Sequence, residues 1–196
     1  MQNKIILASK SKVRKDILDK NNIESIVEPS NVDEDIIKLN LIKEQATPEI
    51  ISKNLAEIKA NKISAKKLDQ LVLGADSVID LGGELISKPE SREDAMKILK
   101  KLNGKSHFLI SSVCISKNGA MIWNYTDSSE LKMKNLNDDE LSAYLNKVDT
   151  ETLLDYGVYQ IEANGLELFE YVKGDKDSIM GLPIKEIINY IKKIKK

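Results

Sequence analysis

The sequence is poor in the residues on which many kinds of site depend. Its 196 residues include one cysteine, Cys114, and one histidine, His107. A single cysteine excludes an internal disulfide, indicates a reducing compartment and, within the apolar run 113–115, predicts a buried and inert thiol. The histidine begins an apolar strand with no nucleophile-elbow motif nearby, which argues against a serine hydrolase triad and predicts a structural role. Zinc-binding motifs and the P-loop motif are also absent from the sequence.

The sequence also lacks an excess of charge and a long hydrophobic segment. Thirty basic and thirty-one acidic residues give a net charge of -1, which is not typical of a nucleic-acid binder or a membrane-surface protein. The apolar stretch 5–8 is too short for a signal-peptide core or a membrane span. We therefore expect a cytoplasmic protein with no nucleic-acid or membrane partner. Any anion site must then be local.

The periodicity of apolar residues predicts one α/β domain, 1–196, with a mixed sheet. Strands are expected at 4–8, at 23–27 and at 71–73. The third is expected to end within 74–77, which puts Asp76 at a strand end. Hairpins are expected at the turns 82–83 and 118–119. Helices are expected to start after the N-cap residues Thr47, Ser91 and Asn137 and again at 184, with the helix after Thr47 reaching about 68. Residues 31–35 are expected to form an acidic loop, and the segment before Pro183 to form short strands and turns.

The first group of candidate binding residues lies at the predicted turn between the first strand and the first helix. Ser9, Ser11 and Arg14 occur there, where free backbone N–H groups and the positive helix end favour an anion and a guanidinium can bind a phosphate through two hydrogen bonds. The alternative interpretation is an ordinary capped helix.

A second group combines carboxylates with lysines. Asp76, Lys88 and Glu34 could hold a divalent cation and a polyphosphate and could activate water, which are the requirements for hydrolysing a phosphoanhydride. An aspartate at a strand end is also a common turn former. Two further lysines, Lys59 and Lys62, lie near the apolar stripe of one predicted helix, and periodicity does not choose between them.

Seven short motifs lie in order across essentially the whole chain. They are Leu7-Ala8-Ser9-Lys10-Ser11 with Arg14, Val32-Asp33-Glu34, Lys59-Ala60, Gly74-Ala75-Asp76-Ser77, Lys88-Pro89, Gly104-Lys105-Ser106-His107 and Gly181-Leu182-Pro183. Together they resemble the motifs of the Maf family of nucleotide pyrophosphatases. The resemblance implies an elongated mixed α/β fold of two lobes around a deep cleft, similar to the ITPase fold, and a homodimer. It further implies hydrolysis of a nucleoside triphosphate to the monophosphate and pyrophosphate, with a divalent metal such as Mg²⁺ or Mn²⁺.

The resemblance also implies roles for individual residues. Asp76 is the expected catalytic acid/base, and Glu34 is expected to act in catalysis or, with Asp76, as a metal ligand. Ser9, Arg14, Lys59 and Lys88 are expected to bind phosphates. On this basis Lys59 is preferred to Lys62.

The chain departs from the family pattern at several positions. Val13 occupies a position, often arginine, that is linked to specificity in the family, and Ser77 matches neither of two branches. Glu162 replaces a glutamine and resembles the branch associated with 7-methyl-GTP rather than the branch that prefers dTTP and UTP. Leu154 falls where a second carboxylate is common, so that either Asp155 substitutes for it or the role is absent. The base preference is left open by these residues.

The alternative to an enzyme is a nucleotide-binding regulator of cell division with little catalysis. The family takes its name from inhibition of septum formation. Asp76, Lys59 and Lys88 are retained in this sequence, and they favour catalysis.

Overall fold

The computed structural model describes residues 4–161 and 163–194, and these form a seven-stranded mixed sheet with helices on its faces. The strands are β1 (Ile5–Leu7), β2 (Ser25–Val27), β3 (Val72–Leu81), β4 (Glu84–Ile86), β5 (Ser106–Lys117), β6 (Ala120–Met133) and β7 (Phe169–Lys173). Their order is β2-β1-β3-β5-β6-β7, and β4 pairs with β3. β1 runs parallel to β2 and β3, and the other pairs are antiparallel. The predicted mixed α/β class is confirmed.

Most helices begin at side chains that cap them. The helices are α1 (Lys12–Lys20), α2 (Glu34–Lys43), α3 (Pro48–Ser64), α4 (Arg92–Leu102), α5 (Asp138–Asn146), α6 (Thr150–Tyr156), α7 (Lys176–Ile179) and α8 (Ile184–Ile194), with a 3-10 helix at Asn164–Leu168. The predicted caps Thr47, Ser91 and Asn137 are confirmed, since each side chain accepts a hydrogen bond from a backbone N–H of the first turn. Among the described residues no helix combines the length and the apolar character that crossing a membrane requires.

The described residues form three hydrophobic cores. The smallest joins α3 to β1, β3 and β5, and the other two lie at the two ends of the long central strands. One core joins β1, α1 and α8 to the first half of β3, where Leu73 and Ala75 are fully buried. The other joins α4, α5, α6 and β7 to the last part of β6, where Leu131 and Met133 are fully buried. The expected two lobes therefore share one sheet, because β3, β5 and β6 run through both.

The sheet edge formed by β3 is uncovered by strands between the two lobes. β1 pairs with β3 only as far as Leu73, and β4 pairs with it only from Ile79. Over 74–78 the side of β3 away from β5 has no strand partner among the described residues. A ligand that contacts both lobes can approach β3 along this interval.

The structure corrects the prediction that Asp76 ends a strand. Pairing of β3 with β5 is unbroken from Val72 to Asp80, so Asp76 lies in the middle of a ten-residue strand. Gly74, two residues before Asp76, allows close packing of α3 on the sheet. A Cβ at Gly74 would come within 2.1 Å of the carbonyl oxygen of Ala56, so only glycine fits there.

Four other features of the secondary structure differ from the sequence prediction. The acidic loop expected at 31–35 reaches only to Asp33, and α2 begins at Glu34, because the Asp33 side chain accepts a hydrogen bond from the N–H of Ile36 (3.1 Å). The sequence of α2 has apolar residues on all sides and hence no stripe for periodicity to detect. The second strand is limited to Ser25–Val27 and α3 ends at Ser64. The segment predicted as strands and turns contains α6, which Asp149 caps.

Candidate active site

A lysine held between two carboxylates forms the centre of the candidate site. Lys59 Nζ lies 2.8 Å from Oδ1 of Asp76 and 2.9 Å from Oε1 of Glu34. The Lys59 and Asp76 side chains are each only 7% exposed, whereas that of Glu34 is 40% exposed. Lys62 is exposed and donates to the carbonyl oxygen of Asn31. The structure thus brings Lys59, and not Lys62, to the predicted carboxylates.

The position of Asp76 follows from the packing of α3 on β3. The close approach at Gly74 places the α3 backbone against the strand. Ser52 Oγ, fully buried on α3, donates to the Asp76 carbonyl oxygen (3.2 Å). The Asp76 backbone is therefore fixed by the same helix that carries Lys59.

One oxygen of the Asp76 carboxylate has no partner. Oδ1 accepts from Lys59, but Oδ2 is buried without a hydrogen bond to any described residue. An unpaired carboxylate oxygen is costly in a protein interior and commonly marks a site where a ligand, water or ion binds. Among the described residues no cluster of three or more His, Cys, Asp or Glu side chains could enclose a metal.

The charge of the site is positive although that of the chain is close to zero. Burial would raise the pKa of the Glu34 carboxyl, but the charge and hydrogen bond of Lys59 outweigh burial and lower that pKa. Lys38 and Lys88 act on Glu34 in the same direction. Four cationic side chains, those of Arg14, Lys38, Lys59 and Lys88, thus surround two carboxylates. A bound polyanion would reduce the mutual repulsion of these cations.

Lys88 lies on the far side of the site and links it to the second lobe. The residue is exposed, and its ammonium donates to the carbonyl oxygen of Asp155 in α6. Partial burial of the ammonium and repulsion from Arg14 lower its pKa, against the attraction of Glu34. An anion next to Lys88 would favour the charged form.

Ser9 and Arg14 lie together at the start of α1. Ser9 is buried, and its Oγ accepts from the backbone N–H of Ser11 (3.2 Å) and from Arg14 Nη1 (3.1 Å). Ser11 caps the helix by accepting from the Arg14 N–H (3.3 Å). Burial lowers the pKa of the Arg14 guanidinium, and the negative charges of Asp76 and Glu34 oppose that shift. The predicted phosphate residues of this turn are therefore adjacent.

The predicted specificity residues differ in their surroundings. Ser77 Oγ accepts from Arg14 Nη2 (3.2 Å) and is 2.9 Å from Ser111 Oγ, so it belongs to the site. Val13 packs against the hydrophobic core around α1 and α8. Glu162 lies outside the described residues. Specificity roles for these residues stay predictions.

Other residues of the site were not anticipated from the sequence. Ser52 and Ser111 carry buried hydroxyls that contact Asp76 and Ser77. These contacts depend on how α3 and β5 pack against β3. Lys38 lies 3.9 Å from Oε2 of Glu34, four residues along α2. An (i, i+4) spacing of Glu and Lys is a recognisable signal, but only where the segment is known to be helical. Leu154 and Asp155 are exposed, and only the Asp155 carbonyl contacts Lys88.

His107 and Cys114 lie in the protein interior, as predicted. His107 is fully buried, with Nε2 2.8 Å from Tyr159 Oη, and burial lowers its pKa to about 4. Its Nδ1 has no hydrogen bond to a described residue. Burial raises the pKa of the Cys114 thiol to about 11. A neutral thiol is a poor nucleophile.

Comparison with known proteins gives matches over almost the whole chain. The family model described as "Maf-like protein" matches residues 4–194. A "Nucleoside triphosphate pyrophosphatase" of Pelagibacter ubique (strain HTCC1062) is 62% identical over 195 residues, covering 100% of each chain. A "7-methyl-GTP pyrophosphatase" of Brucella abortus biovar 1 (strain 9-941) is 33% identical, covering 98% of this chain and 96% of the other. Among solved structures, the Staphylococcus aureus Ham1 protein has a TM-score of 0.41 at 19% identity, covering 66% of this chain and 71% of that one.

Proposed function

Since the chain belongs to the Maf family, we propose that it hydrolyses a nucleoside triphosphate to the nucleoside monophosphate and pyrophosphate at the site around Asp76. The observation that carries this proposal is the state of the Asp76 carboxylate, which is buried, paired to Lys59 through one oxygen and without a partner at the other. Similarity to proteins named nucleoside triphosphate pyrophosphatase over the full chain supports the same activity.

In the proposed reaction a water molecule attacks the α-phosphorus and the bond to the bridging oxygen of the β-phosphate breaks. Asp76 accepts the proton of the attacking water, and pyrophosphate leaves with the bond electrons. Phosphoryl transfer depends mainly on alignment and on neutralising the charge of the phosphates. Lys59 and Lys88 supply positive charge from both lobes. Ser9 and the N-terminus of α1 offer hydrogen bonds and a positive dipole end on the other side.

Asp76 and Glu34 suit a divalent cation such as Mg²⁺ or Mn²⁺. Mg²⁺ is usually bound through one or two protein carboxylates, with substrate phosphates and waters completing its ligands. The unpartnered Oδ2 of Asp76 and the half-exposed carboxylate of Glu34 supply such a pair. When bound, the cation would neutralise charge on the polyphosphate.

A release assay for pyrophosphate, with a matched pair of variants, tests the catalytic role of Asp76. Asp76→Asn keeps the size of the side chain but removes the base, so kcat should fall by on the order of 100-fold or more. Asp80→Asn on the same strand is the control, since Asp80 accepts from the N–H of Gly83 in the hairpin turn. Near-normal turnover by Asp76→Asn would remove it from the mechanism. If the wild type binds nucleotides but releases no pyrophosphate, the regulator of cell division becomes the better hypothesis.

We propose a base preference from the chemistry of residue 162. A carboxylate only accepts hydrogen bonds, and guanine offers two adjacent donors, its N1–H and its exocyclic amino group. Uracil and thymine offer one ring N–H between two carbonyl oxygens. With Glu162 at this position, a guanine nucleotide such as 7-methyl-GTP is the proposed substrate, and a preference for dTTP or UTP is the alternative. The name of the Brucella relative favours the former.

The proposed assembly is a homodimer in the cytoplasm. The family resemblance supports the dimer, and the single buried cysteine suits a reducing compartment. The proposed partners are a nucleotide and a second copy of the chain, and the balanced charge does not favour nucleic acid or a membrane surface. Analytical ultracentrifugation at micromolar concentration decides between monomer and dimer.

A further inference from the structure

The guanidinium of Arg14 is almost completely used in bonds to the protein. Nη1 donates to Ser9 Oγ (3.1 Å) and to the carbonyl oxygen of Ala75 (3.1 Å), Nη2 donates to Ser77 Oγ (3.2 Å), and Nε donates to the carbonyl oxygen of Gly181 (3.0 Å). Because a guanidinium has five N–H donors, only one is left. Two parallel hydrogen bonds to a phosphate would break at least one of these contacts. The side chain therefore serves to connect four segments of the protein.

Gly181 closes this arrangement from the far end of the sequence. It follows α7, where its N–H donates to the carbonyl oxygen of Ser178 (2.9 Å) and the next N–H, that of Leu182, donates to Asp177 (2.8 Å). Such a helix end requires a positive φ, and φ of Gly181 is +96°. The carbonyl of the turn is thereby directed at Arg14.

The turn lies so close to Arg14 that a side chain at 181 would crowd the bonded groups. A Cβ there would lie 3.1 Å from Ser77 Oγ, 3.3 Å from Arg14 Nε and 3.4 Å from Nη2. The first two distances are shorter than ordinary van der Waals contact. Since Arg14 and Ser77 also bond each other, they cannot move apart without losing hydrogen bonds.

We propose that Gly181 is a positioning residue for the reaction, which it assists by holding the Arg14 guanidinium against β3. Arg14 then fixes the Ser9 hydroxyl at the phosphate-binding turn and Ser77 beside Asp76. The inference rests on the proposed function, because the positioned Ser9 hydroxyl is assigned to the substrate there. The inference also gives the motif 181–183 a role, since none of its residues has one in the proposed reaction.

A matched pair of glycine variants separates crowding of Arg14 from backbone strain. Gly181→Ala adds a Cβ that meets Arg14 and Ser77, whereas Gly83→Ala adds one at a similar φ of +92° with nothing within 4 Å. We expect kcat/KM of Gly181→Ala to fall by about 10-fold or more, since small displacements of positioned groups are costly. Gly83→Ala should stay within about two-fold of the wild type. Equal losses in the two variants would assign the effect to strain and overturn the proposal.

A double-mutant cycle tests whether Gly181 acts through Arg14. Arg14→Lys removes the planar fork while keeping the charge. If the two residues act as one unit, Gly181→Ala should have little further effect on kcat/KM in the Arg14→Lys background. Fully additive losses would contradict the proposal.

The arginine content of the chain permits a readout that does not depend on activity. The sequence contains two arginines, Arg14 and Arg92, so arginine labelled with ¹⁵N gives two Nε–H signals, and Arg92→Lys assigns them. The Arg14 signal should exchange slowly with water in the wild type and in Gly83→Ala, and should shift and exchange rapidly in Gly181→Ala. An unchanged, slowly exchanging signal in Gly181→Ala would overturn the proposal.

Two further measurements keep the test decisive. If Gly181→Ala does not fold, Ser77→Ala removes one Nη2 acceptor without straining the backbone, and it should alter the Arg14 signal and lower kcat/KM. A Ser77→Ala protein that is unchanged in both would refute the positioning role. If the wild type releases no pyrophosphate, the proposed function fails, and the NMR signal then shows whether the Arg14 contacts exist independently of it.

Discussion

Replacement of Lys59 by methionine should show how much the buried ion pair of Lys59 with Asp76 contributes to the free energy of unfolding. Methionine keeps much of the apolar stem of lysine but removes the ammonium, which lies 2.8 Å from Asp76 and 2.9 Å from Glu34. Lys62→Met, three residues along the same helix, removes an exposed ammonium instead. The two variants therefore change the same kind of residue in opposite environments.

The expected loss of stability follows from the burial of each partner. Removing one member of a buried ion pair leaves an uncompensated charge and costs roughly 3–5 kcal/mol. This range applies to the pair with Asp76, since both side chains are only 7% exposed. The pair with Glu34, which is 40% exposed, should add little, because solvent screens exposed pairs. Lys62→Met should change the free energy of unfolding by less than about 0.5 kcal/mol.

Urea unfolding measures this difference, followed by the fluorescence of Trp123, the single tryptophan. Lys59→Met should unfold at lower urea than Lys62→Met with an unchanged m-value. Adding Asp76→Asn to Lys59→Met should restore part of the lost stability, because it removes the unpaired buried charge. Equal stabilities of the two lysine variants, or no recovery in the double variant, would refute this account of the pair. Wild-type kcat/KM in Lys59→Met would in addition show that Lys59 does not hold phosphate.

Four further outcomes are expected. The wild type should lose about 2 kcal/mol of unfolding free energy between pH 7 and pH 5, since the unfolded chain protonates His107 near pH 6.5 whereas its folded pKa is about 4. In urea titrations His107→Gln should lack that loss, and an equal pH dependence would contradict the assignment. Lys88→Met should raise KM for the nucleotide by about 10-fold or more relative to the exposed Lys97→Met control, measured by pyrophosphate release. The Cys114 thiol, with its pKa raised to about 11, should resist a disulfide reagent at pH 8 until urea unfolds the chain. Wild-type kcat/KM for guanine nucleotides should exceed that for UTP or dTTP by roughly 10-fold to 100-fold, and Glu162→Gln should reduce the gap; a wild type that prefers UTP or dTTP to every guanine nucleotide would refute the assignment.

Local signals in the sequence predicted much of the fold. Caps such as Thr47 and Asn137 act within one turn of helix, and the hairpin at 118–119 depends on two adjacent residues. These interactions involve residues only a few positions apart, so they can be predicted from the local sequence. The start of α2 has the same kind of signal, because Asp33 caps it. A run of acidic residues is also typical of a solvated loop, which is the structure that the sequence pattern predicted.

Features that depend on contacts between distant segments were not predictable in the same way. Residue pattern alone could not choose Lys59 over Lys62, because the choice depends on where β3 and α2 lie relative to α3. The continuity of β3 through Asp76 depends on pairing with β5, some forty residues later. The family motifs supplied this long-range information for the lysine. The motifs did not predict that Arg14 donates a hydrogen bond to the carbonyl oxygen of Gly181.

The arrangement on β3 explains why neighbouring residues serve two separate networks. Successive side chains of a strand point to opposite faces of a sheet, so Asp76 meets Lys59 on α3 while Ser77 meets Arg14 on α1. A shift of β3 by one residue would exchange these faces. In one direction Ser77 would lie beside the lysine, and in the other Asp76 would lie beside Ser111, so the two networks would not form together in either case. Unbroken pairing from Val72 to Asp80 fixes the register across both lobes. The long strand is therefore a requirement of the site, because the hydrophobic cores at its two ends hold the one register in which both networks form.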